Sequence, residues 1–524
     1  MKKKLLPIGK QNFKGLIEDN CIYVDKTEYI HRLITEGWYY FLSRPRRFGK
    51  SLLVSTLREI FEGNRTLFER LWIEDKWDWS QKSPVIQISF AGVDYQGLGL
   101  EKAINQALDK CAVGYDIILN HTTNKGKFEE LLRELNDKHG KVVVLIDEYD
   151  KPIIDFLDET KLPKAQEHRE ILKGFYSVLK DAESHLRFVL ITGVSKFSQV
   201  SIFSDLNHLS DISLKEDYAL MLGYTQKELE HYFKDYLAEA AKKFKISLKT
   251  LLKEMREWYN GFSWDGKNTV YNPFGTLSFL SHKDFRNFWF STGTPTFLAQ
   301  LMKKQTKFDF ENIETNISRI EKYDLENLDL TALLFQTGYL TIKKRNYRNG
   351  NILLDYPNRE IRESMYDFML EYLKRRQSNS PAQEIVKDLA VAFQQNNLNR
   401  VKDLLESMFG DLPENLYETD DRRSERFYHS LIHLTFKFLG IYIKSEVATA
   451  KGYADSVVET PTHIYLFEFK HQETAEAAFE QLIEKNYAQK YTASNKTIVD
   501  IGVNFDKKKR VIEGWEVRIL KQPA

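Results

Sequence analysis

Residues Ser43 to Ser55 read SRPRRFGKSLLVS. An aromatic, strand-like stretch, Trp38 to Leu42, leads into them, and Leu52, Leu53 and Leu57 start a helical apolar pattern behind them. Strand, tight loop, Gly-Lys-Ser and helix is the order of a phosphate-binding loop. Gly49 lets backbone N–H groups approach phosphate oxygens with no Cβ in the way. Lys50 brings a positive charge to the β- and γ-phosphates, the Ser51 hydroxyl can ligate Mg²⁺, and the following helix adds the positive end of its dipole. The full pattern G-x-x-x-x-G-K-[ST] has Gly where this chain has Arg44. The tripeptide alone therefore leaves an ordinary helix N-terminus, with Ser51 near its cap, as the alternative.

Lys141 to Asp150, KVVVLIDEYD, weighs against that alternative. Its apolar, Val-rich run reads as a strand buried on both faces. The run ends in Asp147-Glu148, and a carboxylate at the C-terminal tip of a parallel strand sits where open α/β sheets bind ligands. Asp147 is placed to hold Mg²⁺ through water, and Glu148 to orient or deprotonate the attacking water. Alone, this is a buried strand with an acidic end; together with Gly-Lys-Ser upstream, it points to nucleotide binding.

Further strands read at Ser83 to Phe90 (SPVIQISF) and His185 to Lys196 (HLRFVLITGVSK). With helical segments between them, the four strands predict a doubly wound parallel sheet. Thr192 or Ser195, at the tip of the last strand, could sense the γ-phosphate; a strand-end turn at Gly193 is the plain reading. Asp25 and Lys26 stand before a helix with Thr27 as its expected cap, in a region that lies near the nucleotide base in P-loop ATPases; a solvated turn is the alternative.

At 524 residues the chain exceeds one core, so about two to four domains are expected. Apolar residues make up 42%, and no run is long enough to span a membrane. The start, MKKKLLPIGK, lacks the apolar stretch of a secretory signal. Cys21 and Cys111 make neither a zinc site nor a disulfide framework, which suits the cytoplasm. A net charge of +1 gives no bulk attraction for nucleic acid, so DNA contact needs local patches.

The helical patterns of residues 215–300 surround YNGFSWDGKNTVYNPFG, which reads as a hairpin. A β pair follows around GYLTIKKRNYRNGNILLDYP, fitting a helical lid and winged-helix-like element. RRQSNSPAQE, Arg375 to Glu384, is the best boundary. The division expected is 1–214, 215–380 and 381–524.

The last segment carries a second chemistry. Ser424 to Leu439 is an amphipathic helix, a hairpin follows with Asp455 at the start of its second strand, and THIYLFEFK ends in Glu468-Phe469-Lys470. Alternation sets Glu468 and Lys470 on one face and Phe469 on the other. An Asp followed one strand later by Glu-x-Lys suits a Mg²⁺-dependent phosphodiesterase: two carboxylates bind the hard cation, which polarises the phosphate and acidifies a water. Lys470 would position that water or stabilise pentavalent charge. Glu425 could complete the metal shell, and Gln481, on an expected helix Thr474 to Tyr491, could steady the site or the DNA. The plain reading is a solvated charged strand end.

These motifs resemble a family of bacterial two-domain proteins, an AAA-ATPase-like domain followed by a PD-(D/E)XK nuclease-superfamily domain. The resemblance rests on YVDKTEYI, YYFLSRPRRFGKSLL, VVVLIDEYDKPI, LITGVSKFS, YNGF and GYADSVVETPTHIYLFEFK with the trailing Gln481 and Tyr491. It spans nearly the whole chain. It implies a P-loop NTPase sheet, a helical and winged-helix-like middle, and a restriction-endonuclease-like α/β domain. RPRRFGKS is the family's usual phosphate loop, so Arg44 is a family trait. By resemblance Arg46, Arg47, Phe48, Gly49, Lys50, Ser51, Leu52, Asp147 and Thr192 bind ATP, Ser51 and Asp147 hold its Mg²⁺, and Glu148 serves hydrolysis. Asp455, Glu468 and Lys470 fall on the nuclease core positions; with Glu425 from the residue reading, Asp455 and Glu468 make up the expected metal set, and Gln481 supports the site. Where relatives read Gly-Arg-x-Asp, this chain has Gly452-Tyr453-Ala454-Asp455, which puts a DNA contact in doubt and leaves metal binding. The expectation is an ATP-dependent ATPase module controlling a Mg²⁺-dependent deoxyribonuclease, with ATP and DNA as partners, no membrane, homo-oligomerisation open, and defence against mobile DNA by analogy. Two alternatives are a nucleotide-switched scaffold whose nuclease-like domain only binds, and a DNA-stimulated motor that does not cut.

Overall fold

Val142–Asp147 is buried along its whole length. A strand without a wet face needs cover on both sides, which parallel sheets with crossover helices provide. The computed structural model describes residues 3–157, 160–196, 203, 208–290, 310–321, 329–374, 381–410, 421–447, 456–471, 474–484, 487–506 and 511–521. In it β1 (Tyr39–Ser43), β2 (Val85–Ser89), β3 (Val142–Asp147), β4 (Leu186–Gly193) and β5 (Ser210–Asp211) form one parallel sheet in the order β2-β3-β4-β1-β5. The chain leaves β1, passes over two strand positions to β2, returns through β3 and β4, and passes β1 again to reach β5. The order therefore reverses beside β1, and the crevice at the C-terminal strand ends there is where such sheets take ligands.

Among the described residues the chain divides into two compact units, 3–290 with 310–361, and 362–521. Residues 215–290, 310–321 and 329–361 thus belong to the same unit as the parallel sheet. Two apolar clusters build the first unit. One joins the phosphate-loop helix Lys50–Phe61, through Leu53, Leu57 and Ile60, to Leu42, Leu145 and Leu190 of the sheet. The other joins the helices between Gln226 and His282 through Phe233, Leu237, Met255, Tyr259 and Phe279. A three-stranded antiparallel sheet follows, β6 (Ile313–Asn316), β7 (Thr341–Arg345) and β8 (Asn351–Asp355), in the order β6-β8-β7, with the helix Leu330–Thr337 before β7.

The second unit has helices Ala382–Gln394, Leu398–Gly410 and Asp421–Leu439. They accompany a sheet of β9 (Lys444–Val447), β10 (Ser456–Glu459), β11 (His463–His471), β12 (Thr497–Asp506) and β13 (Val511–Lys521), ordered β13-β12-β11-β10-β9. β11 and β12 run parallel across the helix Ala475–Glu484; the other pairs are antiparallel. No helix among the described residues is long and apolar enough to cross a membrane.

Three local expectations change. Thr27 is the first residue of the helix Thr27–Glu36 and not its cap; Lys26 holds the cap position, and Asp25 Oδ1, one residue earlier, accepts from the Thr27 N–H and hydroxyl. The expected hairpin after Tyr259 closes on a single bridge, Phe262 with Val270, because Tyr271 pairs away with Tyr224 and Asp265 gathers the turn N–H groups of Lys267 and Asn268. The helix expected to Tyr491 ends at Glu484, and Tyr487–Tyr491 is a 3₁₀ turn.

Candidate functional site

β1 delivers the loop that starts at Arg44, and the loop ends at Gly49, which takes the left-handed φ of 95° just before the helix Lys50–Phe61. A residue with a Cβ is strained at that φ, so glycine is what the loop–helix junction needs. Arg47 has φ 66° and Glu148 φ 54°, both left-handed without being glycine. Such strain persists only where the surroundings hold it, and it clusters at ligand sites. Both residues line one cavity of about 430 Å³.

That cavity gathers Arg46, Arg47, Phe48, Gly49, Lys50, Ser51 and Leu52 from the loop and helix start, and Glu148 and Asp150 from beyond β3. Apolar Ile22, Val24, Leu222 and Phe274 also line it, and so does Lys26. Lys26 is held there by Glu228 Oε1 and the Leu220 carbonyl, which its ammonium meets at 2.6 and 2.8 Å.

Lys50 is buried, and its ammonium donates to the carbonyls of Arg44 and Pro45 at 2.8 and 3.1 Å. Burial pulls its pKa down, against the pull of Asp147, Glu148 and Asp150. Burial pushes Glu148 up, opposed by Lys50. A carboxyl raised in this way is a better proton acceptor when ionised.

Asp147 and Thr192 meet. The strand register sets Thr192 opposite Leu42 of β1, and its hydroxyl donates to Asp147 Oδ1 at 2.6 Å. Both are buried, so Thr192 is turned to the carboxylate at the tip of the neighbouring strand. Ser195 likewise serves Asp150, whose Oδ2 accepts the Ser195 N–H and hydroxyl, each at 2.7 Å. Asp150 is fully buried, and burial raises its pKa.

Arg44, where the pattern has Gly, faces away from the loop. Its Nη1 donates to the carbonyls of Ser43 and Ser213 at 2.9 and 2.6 Å, and its guanidinium lies 4.0 Å from the centre of the Trp264 ring. Burial brings its pKa down to about 9. Phe48 is buried against Phe262 and Trp264, ring centres 4.8 and 5.4 Å away. Trp289 Nε1 donates to the Arg46 carbonyl at 2.9 Å, and Glu360 Oε1 accepts the Trp289 N–H at 2.5 Å. Sequence reasoning missed Asp150, Trp289 and Glu360. Only Asp150 left a local signal, as the last residue of the acidic run IDEYD.

A cradle with a left-handed glycine, a buried ammonium held by two carbonyls, a free helix start and two strand-end acids fits a Mg²⁺-bound nucleoside triphosphate.

In the second unit, Glu468 and Lys470 share one face of β11. Phe467 and Phe469, on the other, pack on Phe436 at 5.2 and 5.6 Å. Glu468 is buried, and Lys470 Nζ donates to Gln481 Oε1 at 2.5 Å. Gly502, opposite Glu468 on β12, makes that meeting possible: a Cβ there would lie 2.6 Å from the Ala475 carbonyl oxygen, so the helix bearing Gln481 rests on bare backbone. Asp455 lies outside the described residues, as does the side chain of Glu425, whose backbone belongs to the helix Asp421–Leu439. Among the described residues no group of three His, Cys, Asp or Glu side chains is placed to hold a metal ion.

Residues 7–203 match a family model described as predicted AAA-ATPase, and residues 423–515 match that of the PD-(D/E)XK nuclease superfamily. A protein of Azotobacter chroococcum mcd 1, described as an uncharacterized protein in the vnfD 5′ region, is 39% identical over 531 residues, spanning 99% of this chain and 100% of that one. Among solved structures, the Orc1 protein of Aeropyrum pernix in complex with DNA aligns over 91% of this chain and 92% of that one, at 12% identity. The TM-score of 0.25 is too low to bear on the fold.

Proposed function

From the premise that the chain belongs to the family joining an AAA-ATPase-like domain to a PD-(D/E)XK nuclease-superfamily domain, we propose that it binds and hydrolyses ATP and uses that cycle to control DNA cleavage. The observation that carries the ATP reading is the one cavity shared by Lys50, Ser51 and Glu148. Lys50 exchanges its two loop carbonyls for phosphate oxygens. Glu148 orients the water that adds to the γ-phosphorus and takes its proton, as the bond to the leaving ADP oxygen breaks. Thr192 holds the Asp147 carboxylate in place. Ser51 and Asp147 would hold Mg²⁺, which when bound neutralises phosphate charge.

In the nuclease reading, Asp455, Glu468 and Glu425 would hold a Mg²⁺ that supplies Lewis acidity at the scissile phosphate. Lys470, oriented by Gln481, would place the attacking water or meet the developing charge. Residues 1–214 form the ATP-binding part, 215–380 the lid and winged-helix-like part, and 381–524 the nuclease part of this scheme. It operates in the cytoplasm, with defence against mobile DNA as the role by analogy.

The test is cleavage of single-stranded, double-stranded and branched DNA by the full chain with Mg²⁺ or Mn²⁺, with and without ATP. Cutting should need the metal, vanish in Asp455→Ala and respond to ATP, and Lys50→Ala should lose ATP binding. Cutting by Asp455→Ala at the parent rate would overturn the site. No cutting on any substrate, with ATP still bound, would favour a nucleotide-switched scaffold.

A further inference from the structure

β13 is an edge. β12 pairs with one side of it, and among the described residues no strand pairs with the other. Its 11 residues, VIEGWEVRILK, include no proline. Val517, Ile519 and Leu520 are 40%, 55% and 38% exposed. Bulges at Glu513 and Leu520 bound a regular run, Gly514 to Ile519, and an exposed edge of that kind is a template for a further strand.

We propose that β13 pairs antiparallel with β13 of a second copy of this chain, about a two-fold axis through Val517, joining two five-stranded sheets into one. The charge pattern selects both the occupant and the register. With Val517 opposite itself, Glu516 faces Arg518, and the pair occurs twice by symmetry. Trp515 faces Ile519 in the same register, an aromatic on a β-branched residue, which is a favourable cross-strand pair. An axis through Glu516 sets Glu516 on Glu516, and an axis through Arg518 sets Arg518 on Arg518. The strand is thus self-complementary in one setting and self-repelling in the two like it on either side. The Glu516–Arg518 pairs, inside the regular run, carry the selection. Both residues are exposed. Arg518 stands opposite Asp500 on β12, with its guanidinium 5.9 Å from the centre of the Phe479 ring.

The test is the mass of the full chain by sedimentation, for the parent, Glu516→Arg, Arg518→Glu, their equimolar mixture and the double swap E516R/R518E. The parent should dimerise. Each single variant turns two attractive pairs repulsive and should self-associate about tenfold more weakly. The mixture should recover the dimer, since one partner then carries two cations and the other two anions, and the double swap should also recover it. Circular dichroism checks folding. If Arg518→Glu, set beside Asp500, does not fold, Ile519→Lys replaces it and should also lose the dimer. A monomeric parent would mean that another part of the chain or solvent covers this edge, and would overturn the proposal. So would a dimer that Glu516→Arg leaves unchanged.

Discussion

Replacing Glu360 by Gln should stabilise this protein at alkaline pH and flatten part of its pH dependence. Glu360 is fully buried, and burial pushes its carboxyl from the ordinary 4.5 up to about 8, opposed by the Trp289 and Phe288 N–H groups. The folded state therefore holds a proton that the unfolded chain releases between those values. Stability from this group is complete below about pH 4.5 and is lost as pH rises toward 8. At about 1.4 kcal/mol per pH unit, the loss between about pH 5 and pH 8 is on the order of 4 kcal/mol. Glutamine copies the protonated shape, keeps an oxygen for the Trp289 N–H and cannot ionise. Glu360→Gln should thus match the parent within about 1 kcal/mol near pH 5 and exceed it by about 3 kcal/mol near pH 8. Urea unfolding followed by circular dichroism at both pH values measures this, and the difference between variant and parent cancels titrations common to both. A difference that stays the same at the two pH values would refute the reasoning, because Glu360 would then ionise alike in the folded and unfolded chains.

Arg44→Gly would restore the common phosphate-loop pattern yet should cost about 2–4 kcal/mol, because buried carbonyls of Ser43 and Ser213 lose their donor and Trp264 its cation. Thermal denaturation reads the loss, and a variant as stable as the parent would show the guanidinium to be dispensable. Gly502→Ala should cost about 1–3 kcal/mol by driving a methyl into the Ala475 carbonyl. It should also move Gln481 off Lys470, so DNA cleavage should fall more than the melting temperature suggests; unchanged cleavage would separate that contact from catalysis.

Local order along the chain was enough to find the phosphate loop, the acidic strand and the Glu-x-Lys strand. Each is a short run whose periodicity, glycine or terminal charge acts on its immediate neighbours, so it keeps its meaning before any long-range contact forms. The same locality explains the misreadings. Thr27 looked like a cap because the sequence does not show that Asp25 turns back to hold it, and the turn after Tyr259 looked like a hairpin because Tyr224, which takes Tyr271 away, is distant in the chain. Tertiary structure alone decided the strand order that inserts β4 between β1 and β3, and with it the meeting of Thr192 with Asp147. It also decided that Arg44 faces away from the loop toward Trp264, and that Trp289 clasps the Arg46 carbonyl from 243 positions away. Such partners are chosen by packing among distant segments, where burial makes an unpaired polar group costly, and no spacing rule along the chain encodes that choice.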